Sequence, residues 1–425
     1  MPVSKAPTTL VQDFQDGEDD RRDKMEKSRD DSSSKQVIRA IKVTLYVSLF
    51  LALWSVTMRF QVSPSKADKF VSVFPVYYRA IALLVLGGWC WGFNIQGLDR
   101  FHIDYCTLFD MDLSTKITSR TVYCTASLFT VVLLANIVTF TQARGIPSTF
   151  IPLCLYISML LLLCWPKSPF HNARYALLQA LQSVMLSPFT GVAFVHVILA
   201  DLLTSYSKVF ADMYGTVCVI SNSTDRHFHA SILQACRNDP IGPIVASLPS
   251  WLRLFQCLKA YSTDGERRHL LNALKYSTAF PVLFFSYLKQ GPSAEAWGPQ
   301  LSQLWLLSVF VNSLYSFYWD IYYDWGLGSI SSSNLLLRDR LVFPKRWWYY
   351  ATMVTDLLLR FTWSLQLSPH WWFIGSVGRE FKMFVLEAVE IFRRCMWIFF
   401  RCEWQHISHP IREDKGHPRM VPDDA

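Results

Sequence analysis

From residue 43 onwards the sequence is a succession of apolar stretches about as long as a bilayer is thick, joined by short polar connectors. A stretch of roughly 20 apolar residues crosses the hydrocarbon core as a helix, because every backbone N–H and C=O must then find its partner within the segment. Counted with that window, about ten candidate spans appear. The first five lie near 43–60, 74–95, 121–140, 147–165 and 191–220, the second five near 244–261, 269–288, 301–323, 347–366 and 380–402. Residues 171–187 carry charge at one end and apolar residues at helical spacing, and read as a short interfacial helix. Composition agrees: 51% of the 425 residues are hydrophobic and only 17% charged, against roughly 25% in a soluble domain. That is too little charge to wrap the two or three soluble cores a chain of this size would need. The expectation is an all-α, polytopic transmembrane helical bundle of about ten spans.

The net charge of +8, from 41 Lys+Arg and 33 Asp+Glu, would suggest nucleic acid in a soluble protein. Here the bases sit between apolar runs, where they set topology instead, and no nucleic-acid partner is expected. With the N-terminus in the cytosol, the cytosolic side collects Arg100, Lys116, Arg120, Lys167, Arg174, Arg267, Arg268, Arg338, Arg340, Lys345 and Arg346, leaving few bases opposite. Both termini are therefore expected to be cytosolic. Residues 1–36 are polar and of mixed charge, and read as a disordered cytosolic tail with no apolar stretch of a signal peptide. The membrane region divides into N-terminal helices (37–190) and a core (191–407), followed by a basic cytosolic tail (408–425).

The same topology makes the loop after the fifth span luminal, and the sequon Asn222-Ser223-Thr224 falls there as a candidate glycosylation site. Cys218 and Cys236 flank that loop and read either as a luminal disulfide or as two unpaired thiols at helix ends. The ten cysteines include no CxxC and no His/Cys ligand spacing, so neither a metal nor a cofactor is expected. Acyltransferase, palmitoyltransferase, metalloprotease and serine-hydrolase motifs are all missing, so no catalytic residue is assigned and an enzyme is not expected.

The second half of the chain places ionisable residues where an apolar span should have none. Asp201 sits mid-span, Arg253 lies in "SLPSWLRLFQCLKAY" and Lys275 in "HLLNALKYSTAFPVLFF". Asp320 and Asp324 are four apart and project from one helical face, and Asp356/Arg360 and Glu390/Arg394 share that spacing, with Arg393 alongside. Each charge near a bilayer centre costs at least about 2.5 kcal/mol. Intrahelical ion pairs account for Asp356/Arg360, and cytosolic anchoring accounts for Arg393 and Arg394. A polar, net-positive cavity accounts for the whole set, and such a cavity suits a small anion. Guanidinium groups fork onto tetrahedral oxyanions, while carboxylates would repel sulfate but accept a hydrogen bond from hydrogen phosphate.

The blocks "FVHVILADLLTS", "SLPSWLRLFQCLKAY", "HLLNALKYST", "FYWDIYYDWGLG", "LLLRFTWSLQ" and "EIFRRCMWIFFRCEWQH" occur in this order. Together they resemble the signature segments of the EXS-domain family, which includes plant and animal phosphate exporters and a fungal Golgi protein needed to retain ER luminal proteins. The resemblance implies phosphate-pathway residues at Asp201, Thr204, Ser207, Arg253, Lys275, Asp320, Asp324, Arg360, Arg393 and Arg394, with Thr204 standing where an Asn is more usual. About forty polar residues before the first span leave no room for the SPX domain that begins many family members. The short form resembles the fungal Golgi branch. It implies a multi-pass Golgi protein, cycling with the endoplasmic reticulum, that recovers phosphate released by luminal glycosylation and supports glycosylation and retention of ER and Golgi residents. The implied partners are inorganic phosphate and membrane lipids, with a second copy of the chain as a further candidate. The competing reading is a sorting scaffold whose tails engage coat adaptors and so retain glycosyltransferases.

Overall fold

The computed structural model describes residues 73–111, 116–142, 149–167, 170–222, 230–289, 293–330, 332, 334–367 and 376–408. Apart from Val47, the expected span at 43–60 lies outside the described residues, as do both expected tails and two residues of the sequon, Ser223 and Thr224. Among the described residues the chain is all helical, with no strand. In chain order come α1 (Arg79–Arg100), the single turn α2 (Tyr105–Leu108), α3 (Ser119–Gln142), α4 (Phe150–Cys164) and α5 (His171–Met185). Then follow α6 (Phe194–Ser205), α7 (Ser207–Asn222), α8 (Ala230–Asn238), α9 (Ile241–Asp264), α10 (Arg267–Ser277) and α11 (Ala279–Leu288). The last are α12 (Ser293–Trp319), a π turn (Asp320–Asp324), α13 (Trp347–Arg360), a 3₁₀ turn (Thr362–Leu367) and α14 (Ser376–Ser408).

Helix occurs at every expected span inside the described residues, yet few of these described helices are long and apolar enough to cross a membrane alone. Two, α1 and α3, are long and apolar enough, and a third span results if α6 and α7, bent by 62° at Tyr206, count as one. The hydropathy windows ran across breaks: 269–288 is cut at Thr278, 301–323 ends in the π turn, and 347–366 is α13 plus the 3₁₀ turn. A window average registers apolar content and is blind to such interruptions.

α1 is the central post. It is 22 residues long, about 33 Å at the helical rise, and packs on α3, α7 and α14. Glycines permit this closeness: a Cβ on Gly92 would come 2.5 Å from the Tyr123 ring, and one on Gly97 2.7 Å from Phe399. Each end of the post sits in its own core. Ile95 and Leu98 join Trp325, Phe343, Tyr349 and Trp397, while Ile81 and Val85 join Tyr77, Leu133, Leu155, Val219 and Cys236. At the second end Cys218 and Cys236 are joined in a disulfide that ties α7 to α8. At the first end, Arg338 pairs with buried Glu403 at 2.6 Å, and the Val342 N–H donates to the same carboxylate at 3.1 Å. These contacts anchor the segment between the π turn and α13.

Helix ends follow local chemistry. Asp104 accepts the Cys106 and Thr107 N–H groups at 3.1 and 3.2 Å and starts α2. The Thr107 hydroxyl and these N–H groups hold its carboxyl below the usual range. Gly265, at φ 71°, closes α9 by donating to the Tyr261 carbonyl at 2.8 Å.

Candidate functional site

Three irregularities in the helices converge. α6 gives way to α7 at Tyr206, α10 to α11 at Thr278, and α12 passes into the π turn at Asp320. At the first two, hydroxyl side chains bond back to the preceding turn. Thr204 donates to the Asp201 carbonyl at 2.7 Å, Ser207 to that of Thr204 at 2.8 Å, and Thr278 to that of Lys275 at 2.6 Å. Such bonds compete with the backbone ladder and bend helices. Irregular backbone at membrane depth is tolerated where it lines a cavity, and here a cavity of about 380 Å³ lies among the three breaks. Its walls carry the hydroxyls of Thr204, Ser205, Ser207, Ser250, Ser313, Ser316 and Thr362, the Asn312 amide, and the Trp363 ring.

Five basic side chains face the cavity (Lys208, Lys275, Arg360, Arg393, Arg394) and three acidic ones (Asp320, Glu387, Glu390). Apart from Lys208 and Glu387, which lies 3.6 Å from Arg79, they fall into two groups. The first is a carboxylate–guanidinium lattice. Arg360 pairs with Asp320 and, at 3.2 Å, with Asp356. Arg393 reaches both acids, at 3.3 and 3.1 Å, and forks onto Glu390 at 2.8 and 2.7 Å. Two cations thus serve three carboxylates, all held by one another.

The second group has no carboxylate at ion-pair distance among the described residues; Asp324, Asp201 and Asp320 act on Lys275, and Asp201, Asp320 and Glu390 on Arg394, only through space. Arg394 donates to the hydroxyls of Ser205 at 2.9 Å and Thr204 at 3.3 Å and lies 4.6 Å from the Trp397 ring centre. The Lys275 ammonium lies 4.4 Å from the Tyr276 ring centre and 5.4 Å from that of Trp319, with no hydrogen bond or ion pair to a described residue. Lys275 and Arg394 are both buried. Two desolvated cations facing a hydroxyl-lined cavity have the chemistry to suit an anion with several acceptor oxygens.

Of the residues singled out in the sequence, Thr204, Ser207, Lys275, Asp320, Arg360, Arg393 and Arg394 line the cavity. Asp201, Arg253 and Asp324 lie behind its wall. Arg253 donates to Asp201 at 2.9 Å and to Gln256 at 2.6 Å, and the Tyr276 hydroxyl donates to Asp201 as well, so this cluster is closed on itself. It backs the lysine through the neighbouring Tyr276. Asp320 and Asp324 do share a face, but they meet α14 at two levels. Asp320 meets Arg393, whereas Asp324 accepts from the Trp397 indole at 3.2 Å and lies 3.6 Å from Arg401. The expected Glu390/Arg394 pairing is replaced: Glu390 takes Arg393, three residues on, and Arg394 turns to α6.

Sequence reading passed over Ser205, Asn312, Ser313 and Ser316. Ser205 bridges Glu390, at 2.7 Å, to Arg394. Asn312, Ser313 and Ser316 stand within two turns before Asp320, and small polar residues repeating at helical spacing in an apolar helix were the available signal.

The sequence matches the EXS family over residues 74–407. It is similar to SPX and EXS domain-containing protein 1 of Dictyostelium discoideum, 32% identical over 356 residues that cover 81% of this chain and 38% of that protein. Solute carrier family 53 member 1 of Homo sapiens is 28% identical over 386 residues, covering 87% and 55%. The Xenotropic and polytropic retrovirus receptor 1 homolog of Xenopus laevis is 28% identical over 347 residues, covering 78% and 50%. The chain thus spans about half or less of these relatives.

Proposed function

From the premise that this chain belongs to the EXS family, we propose that it moves inorganic phosphate across the Golgi membrane. On this reading it recovers phosphate released when luminal glycosyltransferases leave nucleoside diphosphates that are then hydrolysed, and so supports glycosylation and retention of ER and Golgi residents. The observation that carries it is the pair Lys275 and Arg394, buried cations with no carboxylate at ion-pair distance among the described residues, facing hydroxyls across one cavity. A relative named a solute carrier supports transport as the class.

In this reading the anion docks on Lys275 and Arg394, with the Thr204, Ser205 and Ser207 hydroxyls donating to its remaining oxygens. Asp320, whose Oδ2 is held between Arg360 and Arg393, accepts a hydrogen bond from the protonated oxygen of hydrogen phosphate. The lattice of Arg360, Arg393, Asp320, Asp356 and Glu390 is already satisfied, so it fixes geometry with little reorganisation on binding. Asp201 and Arg253 hold Tyr276 and hence Lys275, while Asp324 anchors the π turn to α14. The breaks at Tyr206 and Thr278 supply hinges for opening the cavity to either side. About ten spans with both termini cytosolic remain part of the proposal. The disulfide fits an oxidising luminal face at the end of the bundle away from Arg338, Arg340, Lys345 and Arg346.

A scaffold that retains glycosyltransferases through coat adaptors would need none of these buried charges. The two readings separate in cells lacking the protein. Lys275→Met, which leaves both tails intact, is expected to reach the Golgi and fail to restore glycosylation. Full restoration by a variant that carries no phosphate would instead favour the scaffold.

A further inference from the structure

The segment between the π turn and α13 presents apolar side chains outward that a free surface would not keep. Ile330 is 91% exposed and Leu335 78%. Leu335 and Leu336 hold left-handed backbone, at φ 49° and 66°, a conformation disfavoured for L residues with bulky side chains. It is imposed by the surroundings: the Gly328 N–H donates to the Leu336 carbonyl at 2.7 Å and the Tyr350 hydroxyl to that of Leu335 at 2.7 Å. Arg338, buried against Glu403 and bonded to the Trp325 carbonyl, pins the segment from below. The strain therefore serves to fix Leu335 facing outward.

This outward surface continues into the wall of the bundle. On α13, Trp347, Val354 and Leu358 recur at i, i+7 and i+11, one stripe of the helix, and all three are exposed. A tryptophan at the end of such a stripe marks the level of the lipid headgroups. Arg340, Lys345 and Arg346 precede Trp347 by seven, two and one residues, and all are exposed and without an ion pair to a described residue. The only acid between positions 325 and 355 is Asp339.

We propose that the segment carrying exposed Ile330 and Leu335 and the bases Arg340, Lys345 and Arg346, up to Trp347 at the start of α13, is a binding surface for the headgroups of anionic phospholipids. The apolar residues enter the acyl boundary and the three cations neutralise the headgroup charge. This is independent of which anion the cavity takes and rests only on the chain being a membrane protein. Its apolar residues are what a site for free phosphate would not need.

The test uses the purified full chain in mild detergent and a fluorescent phosphatidylserine probe, with fluorescent phosphatidylcholine as the neutral control. The wild-type protein should prefer phosphatidylserine. Replacing Arg340, Lys345 and Arg346 by Gln should remove that preference by about fivefold per residue, on the order of 100-fold together. Ile330→Ser with Leu335→Ser should weaken both lipids alike. All five positions are exposed, and the wild-type protein supplies a check that needs no variant: its preference should fall as salt is raised tenfold. Millimolar inorganic phosphate should leave the probe bound. Displacement by phosphate, a preference indifferent to salt, or full preference in the triple variant would each overturn the proposal.

Discussion

Arg393 and Lys275 are both buried cations in one cavity wall, yet replacing each by Met should have different consequences. Arg393, 2% exposed, reaches Asp320 at 3.3 Å and Asp356 at 3.1 Å and forks onto Glu390. Without it, Glu390 keeps only the Ser205 hydroxyl, and Asp320 and Asp356 must share Arg360. Breaking a buried pair from one side costs about 3–5 kcal/mol. At roughly 2 °C per kcal/mol for a chain of this size, Tm should fall by on the order of 5–10 °C. Lys275 has no such partner among the described residues. Its replacement by Met keeps the length of the side chain and removes a desolvated charge together with its through-space attraction to Asp324, Asp201 and Asp320, so Tm should fall by much less than for Arg393→Met. What it should lose is the response to ligand. At a phosphate concentration of about 100 Kd, binding stabilises the wild-type protein by about 2.7 kcal/mol, a rise of roughly 5 °C on the same scale. Thermal unfolding of the purified full chain, with and without phosphate, measures both quantities. If Lys275→Met lowers Tm as far as Arg393→Met, the lysine is a structural ion-pair member and the division of the cavity into satisfied and available cations is wrong.

Cys218→Ser should destabilise the α7–α8 end by about 3 kcal/mol for a loop of this length, given a separation of 18 residues, read as a lower Tm that reductant reproduces in the wild-type protein. An unchanged Tm would mean the bond is not formed in the mature protein. A glycosylation reporter inserted after residue 222 should be modified and one at 263–268 should not; the reverse would invert the orientation. Arsenate, which carries a proton at neutral pH as phosphate does, should compete for uptake, whereas sulfate would leave Asp320 facing a bare oxygen and should compete poorly. Equal competition would reduce Asp320 to a partner for Arg360 and Arg393.

The helical character of the chain and most of the charged residues of the cavity wall were legible in the sequence because the anomaly was chemical. An acid, a lysine or a paired arginine inside an apolar run has few explanations, and Lys275, Asp320, Arg360, Arg393 and Arg394 line one cavity. The partition among them was not legible. Glu390 lies three residues from one arginine and four from the other, and which it takes depends on Ser205, supplied by a helix 185 positions away. The breaks were hidden for a related reason. Neither Gly nor Pro stands at Tyr206 or Thr278; the bends coincide with hydroxyl-to-carbonyl bonds at Thr204, Ser207 and Thr278, which hydropathy scores as nearly neutral. Pro281, in the first turn of α11, was the one local hint of a helix start. Asp201 and Arg253 carry the same burial cost, and what the sequence does not reveal is that each pairs with the other behind the cavity wall.

The central claim is that the cavity passes phosphate, and uptake of labelled phosphate by proteoliposomes containing the purified full chain tests it most directly. Wild-type vesicles should fill with phosphate down its gradient well above the rate of empty liposomes, and vesicles carrying Lys275→Met at equal protein density should fill at the background rate. Uptake by the variant equal to that of the wild-type protein, or no uptake by either, would contradict the account.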